Sequence, residues 1–174
     1  MAVTVQMQFE SVVTQMYQEA FVGSSIENGT TTITFDLRLL DFQRQFGTSS
    51  TIYWPKEPYY VNVHELSTLH NPIQYRFILT QGYYFDEDGK RVDFTPEIKG
   101  VSTSQHMSDS IIRLSCYLAG VCGVSLRQVA LIFSCLFLIP ITKSSIKRWI
   151  DQLGTHLPTH IGTDLRKQFQ IVVI

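Results

Sequence analysis

Residues 123–154, GVSLRQVALIFSCLFLIPITKSSIKRWIDQLG, carry the pattern that most constrains the fold: two apolar repeats of helical period separated by a proline. In the later repeat Ile146, Trp149, Ile150 and Leu153 fall at i, i+3, i+4 and i+7 and make one apolar stripe. Ser144, Lys147, Arg148 and Asp151 take the other side. Thr142 is placed to cap this helix through its hydroxyl, and Gly154 to supply a permissive exit. The earlier repeat opens at Ser125 with Gln128 three positions on, a capping-box spacing, and continues through Leu126, Val129, Ala130, Phe133 and Phe137. Pro140 lacks the donor a helix interior needs, so the earlier helix must stop before it.

A third helix is predicted over residues 108–121, with Ile111, Leu114, Leu118 and Val121 along one side and Asp109 near its positive end. Three helices with short connections make a small core and leave the last helix free to enter a groove. That is the sequence form of a helix-turn-helix, whose expected ligand is duplex DNA.

Charge agrees with this placement. Residues 108–154 carry a balance of +3, whereas residues 1–107 carry −5, within a chain whose net charge is −1. Contact with phosphates depends on local positive charge and not on a basic protein overall, so binding is expected through the C-terminal half only. The competing reading of the same residues is the solvated face of an ordinary helical bundle.

The N-terminal half is organised differently. Residues 5–21 place Phe9, Val12, Val13, Met16, Tyr17, Ala20 and Phe21 at helical spacing, and Gly23-Ser24-Ser25 breaks the pattern. Residues 30–40, 59–63 and 75–80 read as strands, and residues 83–94 as a hairpin turning at Asp86-Glu87-Asp88-Gly89. Residues 96–106 read as a linker. The expected architecture is α+β: an N-terminal helix and small antiparallel sheet, then a three-helix helix-turn-helix unit. The expected division is an α+β module at 1–100, the DNA-binding unit at 106–157 and a tail at 158–174.

Several classes are disfavoured by composition. With 174 residues and 44% hydrophobic content the chain has enough apolar material for a real core. Residues 1–9 lack the charged start and apolar stretch of a secretory signal, and the most apolar run, 129–141, is too short to span a bilayer. Cys116, Cys122 and Cys135 have no paired spacing and read as small core residues of a reducing, cytoplasmic protein. His64, His70 and His106 lack neighbouring ligands, and Pro158 interrupts the His156/His160 spacing, so neither metal nor cofactor is expected. The acidic turn at 86–88 reads as solvated.

The segments DEDGKRVDFTPEIKG at 86–100, SDSIIRLSCYLAGVCGVSLRQVALIF at 108–133 and KSSIKRWIDQLG at 143–154 together resemble the N-terminal region of prokaryotic insertion-sequence transposases. The resemblance spans residues 50–157, and its most distinctive part is G-x-S-L-R-x-V-A at 123–130 followed by S-S-I-x-R-W at 144–149. It implies a zinc-ribbon-like module, then a helix-turn-helix, then a catalytic domain with three carboxylates. Where such proteins place paired cysteines, this chain has Trp54-Pro55-Lys56-Glu57 and Phe85-Asp86-Glu87-Asp88, which keep the knuckle spacing without thiols and exclude a four-sulfur zinc site. Burial of Tyr53, Trp54, Tyr59, Tyr84 and Phe85 is expected to replace the metal.

After Gly154 the only acid is Asp164, so the catalytic carboxylates implied by the resemblance are missing and no enzymatic activity is expected. The expected function is sequence-specific binding of double-stranded DNA at element terminal repeats, as part of a truncated transposase. Arg127, Lys143, Ser144, Ser145, Lys147, Arg148 and Gln152 form the expected contact face, with the cations on phosphates and the Ser and Gln residues nearer base edges. A homodimer and a transcriptional repressor with the same helices remain open, as does a protein-interaction module built on Leu131 and Ile132.

Overall fold

The computed structural model describes residues 12–66, 70–102 and 106–156. Its centre is a six-stranded mixed sheet in the order β1-β2-β4-β3-β8-β7, beside a two-stranded hairpin, β5-β6. The strands are β1 (Phe21–Glu27), β2 (Thr30–Asp36), β3 (Tyr59–Glu65), β4 (Ile73–Leu79), β5 (Gly82–Phe85), β6 (Arg91–Phe94), β7 (Val101–Ser102) and β8 (Met107–Ser108). Helices α1 (Val12–Met16) and α2 (Phe42–Phe46) are single turns, and α3 (Asp109–Gly120), α4 (Leu126–Leu136) and α5 (Lys143–His156) follow the sheet.

This corrects the expected architecture in three respects. The sheet is neither small nor wholly antiparallel, because β2 runs parallel to β4 and β3 parallel to β8. Of the helix expected over residues 5–21, residues 5–11 lie outside the described residues; its described part is Val12–Met16, and the segment expected to break it, Gly23-Ser24-Ser25, lies inside β1. Asn28 and Gly29, with φ of 51° and 77°, make the tight turn that folds β1 back onto β2, a backbone hand that suits the twist of a hairpin. The helices are also not a separate trihelical unit on a linker. Residues 96–102 pack on the sheet with Ile98 buried, and β8 passes directly from the sheet into α3.

Alternation along the central strands sorts the two sheet faces. Phe35 of β2, Tyr75, Phe77 and Leu79 of β4 and Val63 of β3 are buried with Val13, Tyr17 and Leu37. The Tyr17 ring meets Phe77 edge-on at 5.4 Å, and its hydroxyl receives the Lys99 N–H at 2.6 Å. Burial therefore pushes the Tyr17 hydroxyl above its ordinary pKa, partly opposed by that hydrogen bond.

A second apolar cluster lies under the C-terminal helices, formed by Met107, Ile111, Val129, Phe133, Ile139, Ile141, Ile146 and Trp149. Two of these, Ile139 and Ile141, come from the connection between α4 and α5. That connection, residues 137–142, contributes to the core as well as joining the helices. Leu138 reverses the chain at φ 57°, and the Ile139 N–H returns to the Phe133 carbonyl at 3.0 Å.

A third, aromatic group stands where the cysteine-free knuckles were expected. Trp54 packs against Phe42 and Phe94 at 5.6 and 5.4 Å, and Phe46 stacks on Tyr84 at 5.3 Å. Tyr53 stacks on Tyr83 at 5.1 Å, and the two residues exchange backbone hydrogen bonds. The expected burial is corrected for three of the five: Tyr59 is apart from both groups at the start of β3, and Tyr53, Tyr59 and Phe85 are exposed, while Trp54 and Tyr84 are half-buried.

Candidate nucleic-acid interface

The start of α5 is fixed by Thr142, whose Oγ1 accepts the Ser145 N–H at 3.1 Å, while the Ile146 N–H returns to the Thr142 carbonyl. From that cap the 3.6-residue period sends Ile146 and Trp149 inward, to 0% and 2% exposure. Lys143, Ser144, Lys147, Arg148, Asp151 and Gln152 are left exposed on the other side. Lys143 and Lys147 are one turn apart, as are Ser144 and Arg148, so the cations and the first serine form a compact outer patch. Gly154 does not end the helix, which continues to His156.

Ser145 occupies a different environment from its neighbours. It is half-buried, and its hydroxyl is 3.0 Å from Thr142 Oγ1, so it belongs to the cap. Arg127, the second residue of α4, is exposed. The α4 entry is held by the full capping box: Ser125 Oγ accepts the Gln128 N–H at 3.3 Å, and Gln128 Oε1 accepts the Ser125 N–H at 3.2 Å.

The charge arrangement at both helix starts is unusual. Neither α4 nor α5 has an acid in its first turn, yet Arg127 and Lys143 sit there, against the positive end of each helix dipole. Asp109 at the start of α3 shows the ordinary arrangement. Among the described residues the ion pairs are Arg38–Asp36 and Arg91–Asp93, so Arg127, Lys143, Lys147 and Arg148 are not neutralised by a carboxylate. The helix dipoles therefore oppose Arg127 and Lys143, whereas Lys147 and Arg148 lie beyond the first turn of α5 with Asp151 one turn away on the same face.

The other groups considered from the sequence are dispersed. Cys116 is half-buried with its thiol pushed up by burial, but Cys122 and Cys135 are exposed, which corrects their reading as core residues. His64 and His106 are brought together across β3 and β8, where the His64 N–H donates to the His106 carbonyl at 2.8 Å. Burial first, and the neighbouring His106 second, hold the His64 pKa down. His70 donates its backbone N–H to the Leu136 carbonyl at the end of α4. Among the described residues no three His, Cys, Asp or Glu side chains gather as a metal site. His160 and the tail lie outside the described residues.

The acidic turn has a local role. Asp86 Oδ1 accepts the N–H groups of Asp88 and Lys90 at 3.1 and 2.8 Å, closing the hairpin with Gly89 at φ 74°. Leu131 is 55% exposed on α4 and Ile132 half-buried beside it. No helix of the described residues is long and apolar enough to cross a membrane.

Comparisons of the chain with protein-family models, with curated proteins and with solved structures found no match.

Proposed function

We propose that this chain binds double-stranded DNA through the outer face of α5, as the DNA-recognition part of an insertion-sequence transposase acting in the cytoplasm on element terminal repeats. The observation that carries this reading is the exposed set of Lys143, Lys147 and Arg148, none of them in an ion pair among the described residues, on a helix anchored by Ile146 and Trp149. The cations lie against phosphates, and Ser144 and Gln152 stand on the same helix with polar groups suited to base edges. Arg127, at the α4 entry, supplies a further phosphate contact. Ser145 supports the face by holding the cap and does not itself reach the duplex. The reading assigns the chain binding alone, without strand transfer.

The test is a mobility-shift assay on terminal-repeat duplex with the full chain and its Lys147→Ala/Arg148→Ala variant. The wild-type protein should shift the duplex. The variant should lose the shift while keeping its helical circular dichroism, because both side chains are exposed. Equal binding by the two proteins would reject α5 as the contact element.

A second reading has one observation in its favour. Between Arg127 and Lys143 there is no charged residue, although Leu131, Leu136 and Leu138 are 55%, 41% and 47% exposed. A charge-free apolar surface of this kind suits a protein partner. A stable oligomer without affinity for any DNA would select that reading.

A further inference from the structure

The sheet has one face buried and one face of different chemistry. Strand alternation places Thr34 of β2, Gln74 and Arg76 of β4, and Asn62 and His64 of β3 on the side opposite Phe35, Tyr75, Phe77 and Val63. All five are partly accessible, and α1 packs on the other side, where Tyr17 meets Phe35 and Phe77. This polar face is partly covered, with Thr32 and Asp36 of β2 buried on it, but a central arginine without a counter-charge is uncommon on such a face.

Arg76 stands in the middle of this face. Its strand, β4, is flanked by β2 and β3, and in register it lies between Thr34 and Asn62. Its Nε donates to Asn62 Oδ1 at 3.3 Å, which fixes the plane of the guanidinium while leaving its two terminal amino groups unclaimed. Among the described residues no carboxylate pairs with it. The nearest strand acid on this face, Asp36, is already taken by Arg38, whose Nη2 is 2.6 Å from Asp36 Oδ2 and which holds the Asp36 carboxyl below its ordinary range. Glu27 lies at the exposed corner, paired in register with Thr30. A guanidinium oriented through Nε and open at its fork is the geometry that takes a phosphate in two parallel hydrogen bonds.

We propose that Arg76 and the polar sheet face around it form a second phosphodiester-binding surface, so that the DNA engaged by α5 is also held by the N-terminal half of the chain. The inference rests on the DNA-binding reading above and extends the contact beyond the C-terminal half, to which the sequence expectation confined it. Asn62 positions the guanidinium, Thr34 and Gln74 offer neutral hydrogen-bonding groups beside it, and the single positive charge of Arg76 complements a phosphate within a half of the chain that is otherwise net acidic. The hydrogen-bonded passage from β3 through β8 into α3 joins this face to the helices without a flexible linker.

The experiment measures affinity of the full chain for duplex DNA against salt concentration, for wild type, Arg76→Gln, Arg76→Lys and Gln74→Glu, with Arg44→Gln as a control on exposed α2. Arg76→Gln should weaken binding about tenfold and flatten the salt dependence by about one counterion, a slope change of about 0.9. Arg76→Lys should keep the slope and lose part of the affinity, and Gln74→Glu should weaken binding with Arg76 intact. Arg44→Gln should change neither quantity. If Arg76→Gln does not fold, Gln74→Glu decides. Unchanged affinity and slope in these face variants, with wild type bound, would overturn the sheet surface and leave α5 standing. No binding by wild type would remove both.

Discussion

Ser108 Oγ donates to Glu65 Oε1 at 2.8 Å, and the same oxygen receives the Ile111 N–H at 3.4 Å, so the end of β3 and the N-cap of α3 share one hydroxyl. Both residues are buried, Ser108 at 0% and Glu65 at 2% exposure, and the Leu66 N–H adds a 2.6 Å bond to the same carboxylate oxygen. The junction between sheet and helices is thus a hydrogen-bonded joint with an ionisable group at its centre. Removing the hydroxyl takes away a helix cap and one partner of a buried carboxylate together. Ser108→Ala should cost about 2 kcal/mol in urea unfolding, with Ser108→Thr recovering part of it. A loss within experimental error would mean that the joint contributes nothing to stability.

The aromatic group that stands at the cysteine-free knuckles depends on a glycine. A Cβ on Gly82 would lie 2.7 Å from the Trp54 ring and 2.9 Å from Phe94. These atoms belong to rigid rings packed on further rings, so the clash has little room to relax. Gly82→Ala should destabilise the protein by about 1–3 kcal/mol and shift the tryptophan emission, as in other overpacked cores. Wild-type stability in this variant would show that the aromatic packing is loose.

Much of the C-terminal half was legible because its determinants are local. The capping box at Ser125 and Gln128 and the Thr142 cap are each written within a few residues, and so is the stripe that buries Ile146 and Trp149. The sheet was only partly legible, because pairing is decided by residues far apart. Phe21–Glu27 is mostly exposed and has neither apolar alternation nor a continuous apolar run, so it is a strand only by virtue of β2 beside it. Its signal was Asn28-Gly29, a hairpin dipeptide between two segments of which the first was read as a break. Arg76 and Glu65 carried no legible role, since their significance comes from which strands flank them. Ser145 was misplaced because helical spacing alone does not distinguish an outer serine from one bonded to its cap.

The depressed His64 pKa sets a pH dependence. With the folded pKa below the ordinary 6.5, the unfolded chain takes up a proton more readily, so the stabilising contribution is fully present above about 6.5 and declines as pH falls below it. The melting temperature should therefore drop between pH 7.5 and 5.5, and His64→Gln should reduce the drop. An identical pH profile in the variant would place the effect at another group.

Trp149 separates structural from contact roles on α5. It is 2% exposed among Ile111, Phe133 and Ile146, and its truncation should cost about 3–5 kcal/mol and melt the helices. Lys147, exposed two residues earlier, should be replaceable by alanine with almost no change in unfolding midpoint. Comparable destabilisation by both variants, followed by urea denaturation, would contradict the division of the helix into an anchored and an open face.

The most direct test of the account is the salt dependence of duplex binding by the full wild-type chain. Phosphate contacts by Arg127, Lys143, Lys147 and Arg148 require log affinity to fall with log salt at a slope of about −3.6 or steeper. Lys147→Ala/Arg148→Ala should make the slope shallower by about 1.8 while weakening the affinity. Binding that is indifferent to salt, or a slope unchanged by the double substitution, would contradict the assignment of α5 as the DNA-contacting helix.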